Sequence, residues 1–168
     1  MSLRERTTWE GRPGLITWLP GHRPLPTETV TQVSGLCLTP DARILLVSED
    51  GRAWSLPGGK PEDQETWEQT LRREVAEEAC AEVLRWQFLG AQRVEGLTPQ
   101  PYYQLRYWAR VRLEAFRPAF ETRHRLAVCA GEFAQRLSWG AGAIGQALLR
   151  EALEAELQAS SGVGPGSA

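Results

Sequence analysis

Three glutamates within two turns of one helix narrow what this chain can fold into more than any other feature. Residues 66–79 read as a helix. Thr66 and Gln69 have the spacing of a capping box, and Trp67, Leu71, Val75 and Ala79 recur every fourth residue as an apolar stripe. Glu74, Glu77 and Glu78 then leave one face, away from Leu71, Val75 and Ala79. In open solvent such crowding costs a few tenths of a kcal/mol. In a cleft, at about 6 Å and an effective dielectric of about 20, each pair repels by roughly 2.8 kcal/mol. There the cluster must protonate, find cations or bind metal. Arg72 and Arg73 neutralise part of it; a hard divalent ion such as Mg²⁺, which takes oxygen ligands, does so best. Helix geometry alone leaves a solvated acidic face and a metal site both open.

The rest of the chain supplies a sheet. Residues 33–38 and 43–48 read as strands, and Glu49-Asp50-Gly51 as a turn returning into a strand at 52–56. Two long strands, 84–94 and 102–113, are joined by a turn at Pro99-Gln100-Pro101, and 133–139 reads as a shorter strand. Ile144 to Leu157 is an amphipathic helix with Ile144, Leu148, Ala152 and Ala155 on one side. Residues 1–29, rich in proline and glycine, read as irregular with one short strand at most. The small-residue run 159–168 reads as a disordered tail, which leaves 1–158 as a single α/β domain.

Composition removes several function classes. Hydrophobic residues at 42% and charged residues at 24% fit a globular chain, and no apolar run approaches the length of a membrane span. A net charge of −2 lacks the basic excess by which nucleic-acid binders displace counterions, so no nucleic-acid partner is expected. Eighteen of the nineteen basic residues are arginine; Lys60 is the exception. Three dispersed cysteines make neither a disulfide framework nor a zinc site, and no basic leader precedes an apolar stretch, so a reducing cytoplasm is the expected home. Gly58-Gly59-Lys60 is not a P-loop, because Trp54 and Pro61 stand where that motif needs Gly and Ser or Thr. Gly140 to Gly145 matches G-x-G-x-x-G, but the chain has no second strand after the helix to complete a dinucleotide fold, and a glycine-rich helix start explains it better.

The pattern Gly59-x5-Glu65-x7-Arg73-Glu74-Val75-x-Glu77-Glu78, preceded by Trp54-Ser55-Leu56-Pro57-Gly58, resembles the signature of the Nudix hydrolase family. Seven of its nine specified places match over residues 59–81. Cys80 and Ala81 stand where that signature has glycine and an aliphatic residue. The missing glycine puts the helix exit in question, since a left-handed residue there suits glycine best, but leaves the carboxylates untouched. The resemblance implies an α/β/α sandwich with a mixed sheet. It also implies a Mg²⁺- or Mn²⁺-dependent pyrophosphohydrolase that cleaves a nucleoside diphosphate linked to another group, with a catalytically idle nucleotide-binding module as the rival.

Residue by residue, the resemblance makes Glu74 and Glu78 the principal metal ligands and Glu77 a further ligand or the holder of a metal-bound water. The carbonyl of Gly58 would complete the set. Arg73 would pair with Glu65 and orient the cluster, or the two form a plain ion pair. Lys60 either approaches a substrate phosphate or is a solvated loop residue. Glu121, between Phe120 and the Arg123-His124-Arg125 run, is the choice for general base, with Glu132 as the alternative. The strand from Tyr102 puts Gln104, Arg106, Trp108, Arg110 and Arg112 on one face. Arg106 and Trp108 there can bind substrate by charge and stacking, or the face is an outward one, solvated or used in a homodimer.

Overall fold

The computed structural model describes residues 2–162. Its elements are β1 (Leu3–Trp9), β2 (Arg12–Pro20), β3 (Val30–Leu38), β4 (Ile44–Ser48), β5 (Gly58–Gly59), α1 (Trp67–Ala79), β6 (Ala81–Glu95), β7 (Tyr102–Leu113), β8 (His124–Val128), α2 (Ala130–Arg136) and α3 (Ala143–Ser160). One mixed sheet runs in the order β1-β2-β6-β7-β3-β4-β8, with β5 paired to β3. Among the strands of the described residues only β3 and β7 run parallel; the other neighbours are antiparallel.

The sheet is covered on both faces, as the α/β/α expectation required. Leu71, Val75 and Ala79 of α1 pack on Val33, Cys37, Leu45, Leu105, Tyr107 and Ala109. On the opposite face Ile144, Leu148, Ala152 and Ala155 of α3 pack on Trp18, Leu36, Leu38 and Trp108. The two alternating faces of β3 and β7 thus feed two separate cores, which is why both strands are almost continuously buried.

Four expectations are corrected. The N-terminal segment is a hairpin, β1–β2, turning at Glu10-Gly11, where both residues have positive φ (49° and 78°). Residues 52–56 form no strand, only isolated bridges of Ser55 to Val47 and of Trp54 to Leu137, and β8 takes the other edge of β4. The Asp50 carboxylate instead accepts the N–H groups of Arg52 and Ala53, which curls the chain after Ser48. Residues 133–139 are not a strand: Phe133 and Leu137, four apart and both buried, lie at the helical spacing of α2 and its C-cap. Glu132 therefore lies in the first turn of that helix. Finally, α3 continues to Ser160, so 159–160 are helical rather than tail; residues 163–168 lie outside the described residues. No helix among the described residues is long and apolar enough to cross a membrane.

Candidate active site

The site is built where β5 passes the acidic face of α1. The predicted capping box is present at Thr66 and Gln69 and fixes where α1 starts. Gly58 and Gly59 lie flat between β3 and α1: a side-chain carbon at Gly58 would run into the backbone of Val33 and Ser34, and one at Gly59 into the Glu74 carboxylate. That closeness lets the Gly58 N–H donate to Glu78 Oε2 at 3.0 Å.

Arg73 organises the carboxylates. It donates Nε and Nη2 to the two oxygens of Glu65 at 2.6 and 3.1 Å, and Nη1 to Glu74 Oε1 at 2.8 Å and Glu77 Oε2 at 3.4 Å. Its Nη2 also reaches the Lys60 carbonyl at 3.1 Å. With Arg73 against it, and the Glu62 N–H and Thr70 hydroxyl adding donors, the Glu65 carboxyl is held down at about 2. Glu74 and Glu78 go the other way. Burial raises both, against the pull of Arg73 on Glu74 and of the Gly58 N–H on Glu78. Glu78 is pushed up to about 7, with the charges of Glu74, Glu121 and Glu77 adding to the burial.

Glu74, Glu77 and Glu78 line a cavity of about 470 Å³ together with Ala119, Phe120, Glu121 and Arg123. Glu78 also borders a second hollow, of about 280 Å³, shared with Ser48, Asp50, Trp54, Ser55 and Thr122. The sequence-predicted glutamates and Glu121 are thereby brought to one place. Lys60 gives only its carbonyl to the cluster; its side chain is exposed outside the lining of the cavity. Arg123 also lines the cavity; it opens the Arg-His-Arg run just after Glu121, and nothing in the local pattern tells which of those residues faces inward.

Arg106 and Trp108 are not on an open face. Both are buried, at 4% and 2% exposure, on the α3 side of the sheet. Trp108 donates its indole N–H to Glu156 of α3. Arg106 is held by Gln32, Ser34 and Gln104 and lies under Trp139. The same packing corrects the outward reading for Arg106, which lies under Trp139, and for Trp108 and Arg110, which α3 covers; Arg112 at the end of the face is exposed. Cys80 has a left-handed backbone (φ 48°, ψ 55°), the conformation for which glycine was expected.

Among the described residues no three His, Cys, Asp or Glu side chains already converge as a ready set of metal ligands. Glu78 is turned onto Gly58 and Glu74 onto Arg73. Their chemistry nonetheless suits a hard cation: all donors are oxygen, and burial makes the charged forms of Glu74 and Glu78 costly without a cation nearby.

A mixed sheet between helices, with an acidic helix face over a glycine pair, defines the class. The chain belongs to the Nudix family: the NUDIX domain model matches residues 28–139, more than half its length. No curated protein matches the sequence. Among solved structures, the pyrophosphohydrolase BsRppH of Bacillus subtilis superposes with a TM-score of 0.71 at 20% identity, covering 90% of this chain and 97% of that one. An ADP-ribose pyrophosphatase from Streptococcus suis gives 0.54 at 24% identity over 76% and 92% of the two chains. A Nudix hydrolase from Nitrosomonas europaea gives 0.58 at 19% over 77% and 90%.

Proposed function

We propose that this protein is a cytoplasmic, metal-dependent hydrolase that cleaves a phosphoanhydride bond in a nucleoside diphosphate linked to another group. The observation that carries the reading is the meeting of Glu74, Glu77, Glu78 and Glu121 in one cavity, with Arg73 and Arg123 as the cations beside them. Relatives of this fold named as pyrophosphohydrolase and ADP-ribose pyrophosphatase support it.

Glu74 and Glu78 would hold Mg²⁺ or Mn²⁺, with Glu77 as a further ligand or the holder of a bound water, and the Gly58 carbonyl completing the set. The bound ion supplies neutralisation of the phosphoryl oxygens and a more acidic water. Glu121 accepts the proton from the water that attacks phosphorus. Arg73, clamped by Glu65, fixes the rotamers of Glu74 and Glu77 and keeps their charge tolerable between turnovers. Arg123, in the lining of the cavity, offers positive charge to the phosphates.

The test is a panel of nucleoside triphosphates, ADP-ribose and other nucleotide sugars incubated with Mg²⁺ or Mn²⁺, with products separated by chromatography. Metal-dependent release of a nucleoside monophosphate from at least one compound is expected. Saturable nucleotide binding without turnover would instead favour the idle module, and neither binding nor turnover would end the reading.

A further inference from the structure

Helix α1 presents its carboxylates at the unfavourable end of its own dipole. Glu77 and Glu78 lie in its last turn, which contains no basic residue, and beyond it Cys80 holds a left-handed conformation without being glycine. The helix end is stabilised from outside by the segment 114–125. Arg125 Nη1 donates to the carbonyls of Ala79 at 2.8 Å, Cys80 at 3.1 Å and Glu114 at 3.0 Å. Its guanidinium lies over the Phe116 ring, 5.0 Å from the centroid. The Glu114 N–H donates to the Cys80 carbonyl at 2.9 Å, and the Arg123 N–H to that of Ser48 at 2.9 Å. The remaining tie lies closest to the chemistry. The Thr122 hydroxyl, on a residue only 6% exposed, donates to the backbone carbonyl of Glu78 itself at 2.7 Å.

Thr122 stands between Glu121 and Arg123, both of which line the cavity with Glu78. One short hydrogen bond, a residue away from the Glu121 carboxylate and on the main chain of Glu78, thus sets the spacing across the site. Arg125 completes the clasp by bringing a cation to the carbonyl end of α1, where neither the helix nor a glycine supplies relief.

We propose that Thr122 and Arg125 are positioning residues: they clamp the segment carrying Glu121 to the C-terminal end of α1, so that Glu121 faces Glu78 at working distance. The inference rests on the functional reading above, because it gives Glu121 and Glu78 their tasks. Neither Thr122 nor Arg125 touches the reacting atoms; both act through the carboxylates they place.

The experiment compares wild type with Thr122→Val, Arg125→Lys and Arg125→Met at a temperature well below each melting midpoint. Mn²⁺ binding to the substrate-free protein is read by electron paramagnetic resonance, and kcat and KM are measured on the panel compound that wild type turns over fastest. Thr122→Val should lower kcat about ten-fold with KM within about two-fold, because misplacing a reacting group by a fraction of an ångström is enough to do so. Arg125→Met should weaken Mn²⁺ binding as well as kcat, and Arg125→Lys, which keeps the charge but not the fork, should recover part of both. If Arg125→Met does not fold, the isosteric Thr122→Val carries the test. A fall in melting temperature with kcat, KM and Mn²⁺ affinity unchanged overturns the positioning role and leaves the function standing. Wild-type protein that neither binds Mn²⁺ nor turns over any compound defeats the underlying reading, and this inference with it.

Discussion

Two glutamates in this fold have the same side-chain exposure, 12%, and opposite circumstances. Glu156 on α3 accepts three donors: Arg110 Nε and Nη2 and the Trp108 indole N–H. On the same helix Glu151 accepts the indole N–H of Trp18. Glu74 on α1 accepts one Arg73 nitrogen, which also serves Glu77, while the rest of that guanidinium serves Glu65. Glu156 is matched to donors across the core and tightens the sheet–helix seam, whereas Glu151, with its single indole donor, is itself raised by burial. The α1 carboxylates are crowded beyond the local supply of donors, so burial raises Glu74 and Glu78. Glu156, whose partners are in place, holds structure; on the reading proposed above, the crowded α1 carboxylates are the ones left to take up a cation.

The sharpest way to break this comparison is Glu78→Gln. Kinetics should show kcat reduced by about 10²–10³-fold, the scale of losing one electrostatic contact made in the transition state, with the fold intact. Full retention of activity would remove Glu78 as a ligand. Glu121→Gln should cost about 10²-fold, the lower end of the usual worth of a general base, and flatten the limb of the pH–rate profile that reports it. A profile superposable on wild type would return the role to another residue.

On α3 the prediction reverses. Glu156→Gln should leave kcat and KM unchanged while chemical denaturation registers a loss of about 1–3 kcal/mol, since Arg110 and Trp108 lose a charged acceptor in a half-dry setting. A change in activity without a change in stability would mean that the two helices are not distinct in the way described.

A further contrast concerns pH. The Glu78 carboxyl is raised from 4.5 to about 7 in the fold, so its contribution favours the folded state at acid pH and is lost as pH rises through 7. An added divalent ion takes the place of that proton. Mg²⁺ should therefore raise the melting temperature more at pH 8 than at pH 6, and an equal rise at both would detach the metal from Glu78. The smallest effect expected is from Cys80→Gly. Relief of the left-handed backbone at φ 48° should stabilise by about 1 kcal/mol at most, and a fall of several degrees in melting temperature would show that Cys80 is held by more than its backbone.

Much of the candidate site was legible because it is local. The capping box, the glutamate face, the glycine pair and the clamp of Arg73 on Glu65 all lie within residues 58–78 and follow from helix and turn geometry. Both long strands were legible from their alternation. What local patterning could not reveal was which neighbour each surface meets. The alternating face of β7 with Arg106, Trp108 and Arg110 reads the same whether water, substrate or α3 covers it, and the covering helix comes more than thirty residues later. The partners of β4 were legible only in part: the Asp50-Gly51 turn promised a return strand, of which a single bridge from Ser55 to Val47 forms, while β8, from residue 124 onward, pairs along the other edge.

From the chain alone came the spacing of like charges on one helix face and the glycines that let backbone approach them, because both depend on bond geometry over a few residues. Only the tertiary structure decided that Glu121 would meet Glu78, that Thr122 and Arg125 would close the end of α1, and that Trp108 would be sealed under α3. Those outcomes depend on contacts between segments far apart in sequence, chosen by burial of the two cores rather than by any local preference.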